Sequence, residues 1–201
     1  GKKRIPPTKY PCFEPRQTER RISAARDLDS GKGRKVTEIS FLRLVPLTWP
    51  RPAIFLAGAI LRQRLVRIVR QELGVTYSPN LNSRWYSDHS VVEGQIKTAP
   101  VMADKVRQII LSSIEWLAGN STEAKQIFER KRQVELGRLK TTERTAKGIA
   151  SAAEDDLIDF GGINSLAHDI SMFENLDQST IARFAQTELS PDKLFCAIIE
   201  P

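Results

Sequence analysis

Arg70-Gln71-Glu72-Leu73-Gly74-Val75-Thr76-Tyr77 is a junction between two periodicities. Upstream, Ile54, Leu56, Ile60, Leu61, Leu65, Ile68 and Val69 recur at helical spacing among good helix formers. Gly74 suits the left-handed residue that closes a helix. Downstream, Val75 to Leu81 reads as extended. The stretch therefore predicts a helix-to-strand corner with the guanidinium of Arg70 at one end and the phenol of Tyr77 at the other. Such a corner is suited to holding a polypeptide backbone or a developing oxyanion.

Working outward, Lys35 to Leu47 carries Val36, Ile39, Phe41, Leu42, Leu44 and Val45 and reads as a strand with apolar residues on both faces, as inside a sheet. Pro50 and Pro52 punctuate the entry to the helix that runs to Leu73, Pro52 lying in its first turn. Val75 to Tyr86 and Ser90 to Thr98 form an antiparallel pair joined near Ser87-Asp88. Pro100 opens a helix closed by Gly119, with Val106, Ile109, Ile110, Ile114 and Leu117 in phase. Asn120 with Glu123 makes a capping-box-like start for a charged helix to about Lys140, in which Ile127, Phe128, Val134 and Leu136 are the core candidates. Helices over residues 146–161 and 163–174 flank Gly161-Gly162. Asp177 or Ser179 caps a last helix through Leu189, and Lys193 to Ile199 is the closing strand. This order predicts an α+β fold, a mainly antiparallel sheet with helices packed on one face.

The 201 residues suit one domain with a substantial core. The net charge of +7 lies wholly in residues 1–35, which hold 11 Lys/Arg and 4 Asp/Glu; the remainder holds 20 of each. Pro6, Pro7, Pro11 and Pro15 mark this N-terminal part as an extended linker. The expected organisation is a basic, proline-containing linker over residues 1–30 and a folded domain over residues 31–201. The Lys2-Lys3-Arg4 cluster attracts phosphates or anionic membranes only if it is more than a solvated linker. The even charge of the rest argues against a nucleic-acid face. Cys12 and Cys196 have no metal-ligand spacing and read as a free pair. No apolar run is long enough to span a membrane. A start at Gly1 reads as that of a trimmed piece, which would have lost any signal peptide.

Catalytic constellations are missing. A His-x-x-Glu-His zinc helix needs two histidines on one helical face and a glutamate that activates metal-bound water. The chain has only His89 and His168, in Tyr-Ser-Asp-His-Ser-Val-Val and Ser-Leu-Ala-His-Asp-Ile-Ser. Glu154, Asp155, Asp156 and Asp159 read as a solvated helix face rather than a cation site. Ser87, Asp88 and His89, as neighbours on a strand, point to alternate faces and form no relay. Gly31-Lys32-Gly33-Arg34-Lys35 lacks the spacing of a phosphate loop.

The stretch Arg-Gln-Glu-Leu-Gly-Val-Thr-Tyr-Ser-Pro resembles the C-terminal half of insulinase/pitrilysin-type zinc metallopeptidases, whose pattern is Arg-Glu-x-x-Gly-Leu-x-Tyr-Ser. Arg70, Gly74, Tyr77 and Ser78 fall in register with it. Gly94-Gln95-Ile96-Lys97-Thr98-Ala99-Pro100 before a helix, the charged helix from Thr122 and the closing Leu-Ser-Pro-Asp-Lys-Leu-Phe-Cys-Ala-Ile-Ile-Glu-Pro extend the resemblance over residues 31–201. It implies the α/β sandwich of a metallopeptidase half that binds no metal. Such a domain is inactive alone and completes the substrate chamber for a zinc-binding catalytic domain in the same polypeptide or on a partner chain. The resemblance further implies a proline-bearing connector ahead of the domain. Arg70 would hydrogen-bond substrate carbonyls, Tyr77 would donate to the oxyanion, and Ser78 would lie among the substrate contacts. Zinc is expected on the partner half and none here. Arg67, Trp85 and Tyr86 are secondary candidates, read as solvated or packing residues. A bacterial protein of this kind would be soluble, in the periplasm or the cytoplasm. Two other readings compete: a structural or regulatory subunit related to processing-peptidase or respiratory core proteins, and a nucleic-acid binder driven by the basic end.

Overall fold

The computed structural model describes residues 19–23, 36–74, 79–86, 88–160 and 166–200. The strands are β1 (Glu19–Ser23), β2 (Thr37–Pro46), β3 (Asn80–Trp85), β4 (His89–Thr98) and β5 (Phe195–Glu200). The helices are α1 (Arg51–Leu65), α2 (Ala103–Ala118), α3 (Thr122–Glu143), α4 (Ala146–Phe160), α5 (Leu166–Glu174) and α6 (Gln178–Glu188). The five strands form one sheet in the order β1-β5-β2-β4-β3. The expected α+β class holds, with one qualification: β1 runs parallel to β5, so the sheet is mixed.

β2 is central, bonded to β4 and β5 on its two sides. Its residues alternate more cleanly than the sequence reading had it. Ile39, Phe41 and Val45 are buried, whereas Leu42 is 37% exposed. Opposite Ile39 lie Ile96 and Ile198, both buried. These inward residues meet one layer of helices. Ile54, Ala57 and Leu61 of α1, Val106, Ile110 and Leu117 of α2, and Ile181 and Phe184 of α6 join them in one core. At the close crossing of Phe41 over Gly94 only a glycine fits, because an added Cβ would lie 2.0 Å from the ring.

β1 is the element that lies within the segment expected as linker. Its sequence, Glu-Arg-Arg-Ile-Ser, has little apolar periodicity, and four of the five residues are exposed. Backbone pairing to the edge of β5 holds it, helped by ion pairs from Arg21 to Glu200 (3.1 Å) and Asp104 and from Arg107 to Glu19.

Helix ends follow capping chemistry, with one correction. The cap of α3 is Ser121, whose hydroxyl accepts the Ala124 N–H at 3.2 Å. Asn120 instead takes a positive φ of 55° just past α2, a conformation asparagine tolerates. Asp177 caps α6, accepting the Thr180 N–H at 2.7 Å. In α3, Ile127, Phe128 and Leu136 are buried as expected, but Val134 is 67% exposed and Leu139 takes the inward place. No helix among the described residues is long and apolar enough to cross a membrane.

Candidate functional site

The helical run that begins with α1 does not stop at Leu65. Over Val66–Glu72 it widens to i→i+5 hydrogen bonding, and the Leu73 N–H reaches the Ile68 carbonyl at 3.1 Å. The extra residue per turn lets Val69 stay buried and Leu73 pack against the core, while Arg70, Gln71 and Glu72 face water. Gly74 follows with φ 61°, the left-handed closure its position in the sequence predicts. The helix side of the corner is thus as expected, with Arg70 exposed on its last turn. Tyr77 and Ser78 lie outside the described residues, as do Cys12, Ser87 and the N-terminal basic cluster.

Beside the corner a groove of about 640 Å³ is bounded by α1 with its widened end, by β3 and by α3. Arg62, Arg64, Arg67 and Lys131 line it. Arg64 and Arg67 share the Glu123 carboxylate, Arg64 at 3.6 Å, and Arg67 also reaches Glu72 at 3.4 Å. The hydrogen bond from Arg67 holds the Glu123 carboxyl below its usual range. Burial pushes the Arg64 guanidinium down, and the Glu123 charge opposes that shift. Arg64 also lies over the Trp116 ring at 4.2 Å, within cation–π range. The three arginines of α1 and its extension, which the sequence scatters over different faces, therefore converge on one groove. Lys131 joins them from a helix distant in sequence, and no local signal marks it.

The aromatic candidates act in packing. Trp85 stacks with Phe55 at 6.4 Å, and Phe55 meets Phe173 edge-on at 6.2 Å. Tyr86, 42% exposed, stacks on His89 at 4.8 Å. Asp88 lies in the turn of the hairpin and not on a strand, so its carboxylate reaches His89 Nδ1 at 2.6 Å. The two neighbours do touch, contrary to the alternation expected of them. The contact is partly exposed, and His168, on α5, is exposed elsewhere.

The acidic run on α4 also differs from a uniformly solvated face. Glu154 and Asp155 are exposed, but Asp156 is 8% exposed and pairs with Arg51 at 3.7 Å. It faces a cavity of about 630 Å³ between α1, α3, α4 and α5 that also holds Asp169. Burial raises the Asp169 carboxyl, an effect that Arg51 opposes and Asp156 reinforces. Among the described residues no group of three His, Cys, Asp or Glu side chains could hold a metal ion. Cys196 is buried with a free thiol that burial pushes up, the opposite of an activated nucleophile.

Neither a protein-family model nor a curated protein matches the sequence. Solved structures do match the fold. A peptidase M16 inactive domain from Pseudomonas fluorescens superposes with a TM-score of 0.68 at 13% identity, over 91% of this chain and 43% of that one. The periplasmic protease PqqL of Escherichia coli gives 0.68 at 13% identity, over 92% and 20%. A chain of Complex III2 from Candida albicans gives 0.68 at 15%, over 90% and 45%. The protein therefore has the fold of M16-like peptidase domains, and it spans less than half the length of each of these three chains.

Proposed function

We propose that this chain is the non-catalytic domain of an insulinase/pitrilysin-type zinc peptidase, closing the substrate chamber opposite a zinc-binding half. The observation that carries the reading is the likeness of nearly the whole chain to an inactive M16 domain, in a sequence whose two histidines form no His-x-x-Glu-His. Arg70 stands exposed on the widened last turn, four residues before the left-handed Gly74. In this reading it hydrogen-bonds substrate carbonyls while Tyr77 donates to the oxyanion and Ser78 borders the peptide. Zinc sits on the other half, within the same polypeptide or on a second chain.

The test is turnover by the chain reconstituted with a catalytic half. Tyr77→Phe keeps the ring and removes one oxyanion donor, so kcat should fall by roughly 100-fold or more. Arg70→Ala should lower kcat/KM, with assembly by gel filtration intact in both. Zinc-dependent peptide cleavage by the isolated chain would refute the reading. Unchanged turnover in both variants would instead support a structural subunit, the reading that the likeness to a Complex III2 chain favours.

A further inference from the structure

The cavity between α1, α3, α4 and α5, about 630 Å³, falls within the roughly 300–1,000 Å³ of small-molecule sites. One of its walls is aromatic. Phe55 of α1 stacks on Trp85 at the end of β3 (6.4 Å) and meets Phe173 of α5 edge-on (6.2 Å), and all three rings line the cavity together with Leu139 and Leu166. Two helical spacings put charge beside these rings. Arg51 precedes Phe55 by four residues on α1, and Asp169 precedes Phe173 by four on α5, so each pair shares one helix face.

The sign of the charge decides what kind of ligand fits. Arg138 is turned to Glu135, its Nε donating at 2.9 Å, and Lys147 stands in the first turn of α4, about 12 Å along the helix axis from Asp155 and Asp156. Around the rings, Asp155, Asp156 and Asp169 therefore face the guanidinium of Arg51. Arg51 pairs with the buried Asp156 at 3.7 Å. At the half-buried Asp169 its charge and that of the exposed His168 oppose burial and the Asp156 charge. Carboxylates in excess of their cations are costly away from water unless matched. An added cation would balance that excess, and aromatic faces attract cations as well. Among the described residues no group could ligate a metal ion, so an organic cation is the class that suits both the carboxylates and the rings.

We propose that this cavity binds a small organic monocation, an amidinium or ammonium on a flat apolar body, with the cation received by Asp169 and the body seated against Phe55, Trp85 and Phe173. The inference does not rest on the peptidase reading: it invokes no catalytic half, no zinc, and neither Arg70 nor Tyr77. A planar amidinium can meet a carboxylate with two parallel hydrogen bonds, which a neutral or anionic molecule of the same shape cannot do.

The probe is benzamidine, with benzamide and benzoate as its neutral and anionic counterparts, each titrated against the 201-residue chain by saturation-transfer NMR. Benzamidine should bind saturably and about tenfold or more tightly than either counterpart. Asp169→Asn keeps the side-chain shape and removes the receiving charge, so benzamidine should weaken about tenfold, with folding checked by thermal melting. Phe173→Leu, which removes one ring, should weaken it about threefold or more. Glu154→Gln takes the same charge from the solvated side of α4 and should leave binding unchanged. The proposal is overturned by no saturable binding of benzamidine, by benzamide or benzoate binding as tightly, by indifference to Asp169→Asn, or by an equal loss in Glu154→Gln. Tighter binding of an acetylated Gly-Arg-Gly amide would also overturn it, since the occupant would then be a polypeptide side chain.

Discussion

Replacing Gly94 by alanine tests how the sheet is closed against its helices. Gly94 lies directly opposite Phe41 across the β2–β4 pair, and the new Cβ would meet Cζ, Cε1 and Cε2 of the ring at 2.0, 2.4 and 2.7 Å. Carbon atoms pack at about 3.5–4.0 Å, so the ring must move by roughly 1.5 Å. Phe41 is only 3% exposed, and its ring has no solvent to swing into. At an unobstructed site glycine to alanine gains about 0.4–1 kcal/mol by restricting the unfolded chain. Here overpacking should dominate, at a net cost of about 1–3 kcal/mol. With a urea m-value near 3 kcal/mol/M, a loss of about 2 kcal/mol lowers the unfolding midpoint by roughly 0.7 M. Phe41→Leu should be destabilising alone yet rescue part of the loss in the Gly94→Ala background, a coupling of about 1 kcal/mol in a double-mutant cycle. A Gly94→Ala protein as stable as the parent, or costs that simply add, would refute the close-approach account.

Two carboxylates give pH predictions of opposite sign. The Asp177 carboxyl is held below its usual range by hydrogen bonds from Thr180 and then Ser179, so its stabilisation is present at neutral pH and lost as pH falls through the depressed value. Asp177→Ala should cost about 1 kcal/mol at pH 7, a deficit that shrinks below about pH 3.9 in denaturation curves; a deficit that persists undiminished at pH 2 would contradict the cap. Asp169 is raised, chiefly by burial, so the folded state holds its proton more tightly and stability declines as pH rises from the ordinary carboxylate value to the raised one. Asp169→Asn should therefore raise Tm at pH 7 and leave it unchanged at pH 3, whereas an equal shift at both would show that packing, not ionisation, governs the site.

What the sequence made legible were features with a local cause. Gly74 and Asp177 act through their own backbone or the next turn, and both stand where sequence reasoning put them. The misplacements have distributed causes. In α3, at 100° per residue, the buried arc centres on Ala124, Phe128 and Leu139, and Val134 falls about 20° beyond Ile127 at its margin. The arc also contains Lys131, Arg132 and Glu135, whose aliphatic stems cover the core while their charges reach outward, and this masks the phase. β1 was invisible because an edge strand in parallel pairing needs backbone partners more than an apolar face. Arg62 and Lys131 converge across a helix pair, a juxtaposition no spacing encodes.

The widened turn at Val66–Glu72 joins the corner to the groove. An α-helical continuation would close each turn one residue earlier and bring Glu72 nearer the face that Leu65 and Val69 bury. Burying that carboxylate costs more than the poorer geometry of a wide turn. Widening instead hands the inward place to Leu73, which packs on the core. One consequence is that Arg70 and Gln71 are exposed on the last turn while Arg67 bridges Glu72 and Glu123. A second is that Gln71 reaches the wall of the groove. Wide turns of this kind are frequent at functional sites, and here the same seven residues present Arg70 on one side and border the groove on the other. A change that straightened this element would therefore move Arg70 and the wall of the groove together.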